Sequence, residues 1–138
     1  MIVAAAVLSS LAPPSKALAA LGAVSAHVGP GPVASVVERN GYTLQVRVTP
    51  NRAAQQNLFS LALNRDGRPV TGADVTATFA MLDMEMGQQA YDLKESRPGV
   101  YTHAAPALVM VGHWGITFDV EPPGGRPFDA TVVDRANG

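Results

Sequence analysis

Two short segments hold most of the side chains in this chain that suit a soft metal ion. Met81-Leu82-Asp83-Met84-Glu85-Met86-Gly87 and Leu108-Val109-Met110-Val111-Gly112-His113-Trp114 contain every methionine after Met1, one of the three histidines and the one tryptophan. Thioether sulfur and imidazole nitrogen are neutral, soft-to-borderline donors that suit Cu(I), whereas magnesium and calcium take hard oxygen ligands. If the fold brings the two segments together, copper is the ion they fit, Cu(I) ahead of Cu(II).

The candidate metal ligands are Met84, Met86, Met110 and His113. Met84 and Met86 are two apart, so on an extended strand they point the same way, with Cα atoms roughly 6.5 to 7 Å apart. Met81 is out of that register and is expected to face the core. Met110 and His113 are three apart and fall on opposite faces of a straight strand, unless Gly112 supplies a bulge or bend. A second reading stays open beside the first: the methionines fill irregular gaps in a core, and His113 is a polar neighbour of a buried tryptophan. Asp83 and Glu85 alternate with the methionines and are expected in solvent, or as an electrostatic lure for a cation.

His27 and His103 are weaker metal candidates. His103 follows a Gly-Val-Tyr turn with no second ligand near it in sequence, which reads first as an ordinary exposed or hydrogen-bonded histidine. For His27, processing after Ala26 would leave a backbone amine and an imidazole on one residue, a chelate suited to Cu(II).

Composition removes several function classes. The chain has 138 residues, 47% of them hydrophobic and 15% charged, which suits one domain with a real core. Ten basic and eleven acidic residues are scattered singly for a net charge of -1, so no basic stripe is present to neutralise phosphates, and nucleic acid is not an expected partner. The absence of cysteine excludes disulfides, thiolate zinc sites and cysteine nucleophiles. Methionine as the soft ligand escapes loss to disulfide exchange, which fits a protein outside the cytoplasm. No nucleophile elbow, H-E-x-x-H helix or glycine-rich phosphate loop occurs, and an enzyme is not expected.

The elements that must position these residues read as strands. Tyr42 to Thr49 alternates strictly, with Tyr42, Leu44, Val46 and Val48 on one face. Leu58 to Leu63 follows and ends at Asp66-Gly67, a strong turn signal. Val75, Ala77, Phe79 and Met81 alternate into the first methionine segment. Gln88 to Glu95 and Gly99 to Ala104 form a hairpin pattern, Val111 to Val120 presents Trp114, Ile116, Phe118 and Val120 to one side, and Arg126 to Val133 closes the domain. With Val33 to Glu38 as a first strand, the pattern predicts an all-β, immunoglobulin-like antiparallel sandwich of about seven strands. Tyr101 is expected to pack or to cap a corner with its hydroxyl, and Trp114 to be the central ring of the core.

An apolar N-terminal segment, residues 1–26, precedes a Gly/Pro linker at 27–34 and the domain at 35–138. Its first run, Met1 to Ala12, is too short for the ~20 residues a membrane helix needs. It reads as the tail of such a helix in a longer parent, as a signal-like segment with small-residue sites at Ala17-Leu18-Ala19 or Val24-Ser25-Ala26, or as an ordinary apolar arm. The first two readings place the remainder outside the cytoplasmic membrane.

The run Arg68-Pro69-Val70-Thr71-Gly72-Ala73-Asp74-Val75, then Met81 to Gly87, then Pro98-Gly99-Val100-Tyr101, then Met110-Val111-Gly112-His113-Trp114 resembles the YtkA-like family over about residues 56 to 133. The resemblance implies a small β-sandwich domain beyond the membrane, alone or attached to copper-handling membrane proteins such as CopC/CopD-type fusions. The expected partner is therefore a membrane copper transporter domain or another copper-handling protein. Many members carry arginine where this chain has His113, so the resemblance implies a fold more firmly than a ligand set. The alternative is a non-metal, immunoglobulin-like interaction module whose methionine-rich edge is an adaptable apolar contact.

Overall fold

A computed structural model describes residues 23–27 and 31–138; of the expected membrane stub or signal over residues 1–26, residues 1–22 lie outside the described residues. Ten strands follow: β1 (Ala23–His27), β2 (Val33–Arg39), β3 (Tyr42–Thr49), β4 (Asn57–Arg65), β5 (Arg68–Pro69), β6 (Asp74–Met81), β7 (Gln88–Arg97), β8 (Val100–Ala105), β9 (Gly112–Glu121) and β10 (Phe128–Ala136). Among the described residues there is no helix, and so none long and apolar enough to cross a membrane.

The alternating segments become strands because one face of each finds the core. Leu44, Val46 and Val48 of β3, Phe59, Leu61 and Leu63 of β4, and Ile116, Phe118 and Val120 of β9 are all buried, with Phe59 and Phe79 meeting edge-on at 4.7 Å between ring centroids. Two hairpins have the turn that a right-handed strand twist favours. Asn40-Gly41 joins β2 to β3 and Asp66-Gly67 joins β4 to β5, both residues of each pair at positive φ.

The strands form one continuous sheet in the order β1-β10-β9-β6-β7-β8-β4-β3-β2, with the two-residue β5 paired off this path to β4. Every pairing is antiparallel except β1 with β10, which is parallel. The path curls until β1 and β10 pack beside β2, giving a nearly closed, barrel-like shape. The expected all-β antiparallel architecture is present, while an immunoglobulin-like sandwich of about seven strands is not confirmed, because the strands join in one path. The reason lies in β7, whose first part, Gln88–Leu93, pairs with β6 while Lys94–Arg97 pairs with β8 across a bulge at Glu95 and Arg97. By changing neighbours halfway, β7 stitches together what would otherwise be two sheets.

The register decides where the candidate ligands go. Trp114 lies opposite Met81 and Glu121 opposite Asp74, so the end of β6 and the start of β9 meet at one rim of the barrel. That rim is closed by the 50–57 segment. Buried Asn57 accepts the N–H groups of Asn51 and Arg52 at 2.7 and 3.0 Å, and the Asn51 amide donates to the buried Asp134 carboxylate at 3.0 Å. Ala53 donates to the Asn137 carbonyl and Ala54 to that of Leu108, at 2.7 and 2.8 Å, tying the plug to the chain end and to the 106–111 loop.

Candidate metal centre

The methionine segment is not an extension of its strand. β6 ends at Met81, and residues 82–87 form an irregular loop into β7, so the same-face argument for Met84 and Met86 does not apply. Both side chains nevertheless stand in solvent, 53% and 45% exposed. Met81 turns inward and packs against the core, as its register predicts. Its thioether lies over Gly112, where an added Cβ would fall 2.3 Å from the Met81 methyl group and 2.7 Å from a carboxylate oxygen of Asp83. Gly112 sits at φ +147°, so glycine answers both a backbone and a space requirement there.

The second segment contributes from a loop as well. Ala107 and Leu108 are buried, then Val109, Met110 and Val111 emerge into solvent, Met110 with 37% exposure. The Met110 backbone is held from below: its carbonyl accepts the indole N–H of Trp114 at 3.0 Å. Trp114 is buried, as expected of a core ring, and also ties this loop to β9.

Three hydrogen bonds join the two segments. The Leu82 N–H donates to the His113 carbonyl at 2.8 Å, the His113 N–H donates to an Asp83 carboxylate oxygen at 2.8 Å, and the His113 Nδ1 lies 3.2 Å from both Asp83 oxygens. The backbone N–H of His113 is the main reason the Asp83 carboxyl is held below the usual carboxylate range, with the imidazole and the charge of Arg135 acting in the same direction. Arg135 is the residue opposite His113 in the β9–β10 ladder.

Asp83 is exposed, as strand alternation expects, and the structure also puts it at the junction. The sequence signal for it was the position itself, a carboxylate just past the end of β6, where a side chain that accepts from backbone N–H groups stabilises a departing chain.

The structure therefore brings the loop bearing Met84 and Met86 to the strand that begins with Gly112-His113, with Met110 in the adjoining loop. His103 lies on β8, half-buried, its ring 4.6 Å from that of Tyr91 and tilted 30°. It packs as an ordinary histidine. His27 ends β1, its backbone opposite Asp134. Among the described residues no three His, Cys, Asp or Glu side chains gather to hold a metal ion.

The order of these blocks along the chain decides the family, since a family model matches residues 37–119, from the end of β2 to near the end of β9. The chain belongs to the YtkA-like family. A copper-bound variant of FetP from uropathogenic Escherichia coli strain F11 has a similar fold, with a TM-score of 0.58 and 15% identity over 78% of this chain and 97% of that one. No curated protein matches the chain in sequence.

Proposed function

We propose that this YtkA-like domain is a non-enzymatic, extracytoplasmic accessory domain that binds Cu(I) through Met84, Met86, Met110 and His113 and passes it to or from a membrane copper transporter or other copper-handling protein. The observation that carries the reading is the junction at the rim, where three hydrogen bonds hold the methionine loop against His113 while the thioethers stay in solvent. Family membership and the copper in the structurally similar FetP variant point the same way. Thioether and imidazole ligands are neutral and leave the charge of the ion uncompensated, which favours transient holding over burial, the behaviour a relay needs. Asp83 adds a carboxylate beside His113 and offsets Arg135 in the local field.

The test is anaerobic Cu(I) titration of the full chain against a competing chelator, with Met84→Leu/Met86→Leu as control. The wild type is expected to take Cu(I) from the chelator and the double variant to compete poorly. Equal binding by both proteins would remove this site.

A second reading has its own support. Of the large apolar side chains exposed among the described residues, Leu82, Met84, Met86, Val109, Met110 and Val111 all lie on these two loops, leaving only Val36 and Leu58 elsewhere. Such a patch also suits a protein–protein contact, with flexible methionines adapting to the partner. The same titration separates the readings, because a contact surface has no need to take copper from a chelator.

A further inference from the structure

The pair formed by Asp83 and His113 does more than tie a loop to a strand. An ionised carboxylate has only acceptor capacity, so an imidazole nitrogen beside it must carry the hydrogen. In the neutral ring of His113 the nitrogen facing Asp83 is Nδ1, at 3.2 Å from both oxygens. The lone pair is then on Nε2 alone, at the far side of a ring that is 42% exposed. We propose that Asp83 is a positioning residue that holds His113 as its Nδ1–H tautomer and so makes Nε2 the nitrogen offered to copper.

The arrangement is built, not incidental. Asp83 is itself fixed by the His113 N–H at 2.8 Å, so one carboxylate grips both the backbone and the ring of the same residue. The ring is thereby restrained in orientation as well as in tautomer. Gly112 keeps the space open: a Cβ there would stand 2.7 Å from the Asp83 oxygen and displace it. A histidine that donates its second ring N–H to a carboxylate is oriented and made more basic as a ligand, and loss of such a partner weakens metal affinity about 10- to 100-fold. Asp83 thus contributes to copper binding without touching the ion, which separates its role from an electrostatic lure at the rim.

This inference rests on His113 being a copper ligand, and the experiment keeps the two apart by reading the metal-free protein first. In long-range proton–nitrogen NMR spectra of the full chain, with the ring neutral, His113 is expected to show Nδ1 protonated and Nε2 bare. Asp83→Asn, similar in shape but able to donate as well as accept, and Asp83→Ala, which removes the partner, should both shift the ring toward the Nε2–H form. Cu(I) is diamagnetic, so on titration the Nε2 resonance of the wild type should move while Nδ1 keeps its proton, and both variants should bind Cu(I) about 10- to 100-fold more weakly. An Nε2–H ring in the wild type overturns the proposal, as does an Nδ1–H ring that persists in both variants, or a copper-induced shift centred on Nδ1. A wild type that shows the tautomer switch but takes up no Cu(I) overturns the copper reading and the ligand role of Nε2, while Asp83's hold on the ring stands.

Discussion

The two ends of the barrel solve the same problem and differ in what they leave exposed. At the end away from the methionines, Glu95 accepts the N–H groups of Gly72 and Gly99 at 3.0 and 2.9 Å, one on each oxygen, and these bonds hold its carboxyl below its ordinary range. Tyr101 completes that end. It is 1% exposed, and its hydroxyl donates to the Val70 carbonyl at 2.7 Å and accepts the Ala73 N–H at 3.0 Å, so the 70–73 segment is tied down to strand β8. Burial pushes the Tyr101 hydroxyl up, with Glu95 and Asp74 adding to the effect. Gly99 lets the backbone approach so closely that a Cβ would meet that of Pro69 at 2.7 Å. Every polar group named there is used to hold chain against chain.

At the methionine end the carboxylate is again a backbone acceptor, but it also grips an imidazole, and the side chains around it are left in water. Segments at that end are anchored by backbone bonds from Leu82 to His113 and from Ala54 to Leu108 and by the side chains of Asp83, Trp114, Asn51 and Asn57, while the thioethers of Met84, Met86 and Met110 take no part in these bonds. Both ends fix their chain with side-chain and backbone bonds, but only the methionine end also leaves polarisable side chains in water, which suits the binding role proposed above.

That contrast can be broken by moving function and stability independently. The largest effect is expected from Met84→Leu/Met86→Leu/Met110→Leu, which should abolish Cu(I) uptake in the chelator competition. Denaturant unfolding should change by no more than about 0.5 kcal/mol, the usual range for exposed substitutions. A large loss of stability would show these side chains to be structural and the two ends alike. Tyr101→Phe should do the reverse. It orphans the Val70 carbonyl and the Ala73 N–H at a cost of about 1 to 3 kcal/mol, with Cu(I) affinity unchanged.

The smallest effect sharpens the comparison through pH. Because the folded-state pKa of Glu95 lies below its ordinary 4.5, its contribution is complete above that value and is lost as pH falls through the depressed one. Glu95→Gln should therefore lower the thermal midpoint at neutral pH, and the gap to wild type should close on acidification below 4.5. A gap that stays constant with pH would mean that the charge of Glu95 adds nothing to this end.

Much of the fold was legible because burial enforces a period of two. Tyr42 to Thr49 and Trp114 to Val120 bury the residues their alternation selects, and Tyr101 bonds through its hydroxyl as expected of a corner tyrosine. The near-closure was not legible, since it depends on β7 exchanging one neighbour for another at Leu93 and Lys94, and an alternation pattern is blind to which strand lies alongside. The candidate site was legible in composition and misread in geometry. Met84 and Met86 were placed by strand register although the strand stops at Met81, and Asp83 lies in solvent as the alternation expects but with a bond to His113 that alternation does not show. Loops obey their hydrogen bonds, and the bonds of Asp83 reach thirty residues along the chain to His113.

The hydrogen bond from the indole of Trp114 to the carbonyl of Met110 equips the domain with an internal optical probe. Indole emission responds to the bond its N–H makes, and with a single tryptophan the signal has no other source. Any event that shifts the main chain at Met110, whether an ion or a partner arriving at the rim, is thus written into the fluorescence of the unlabelled protein.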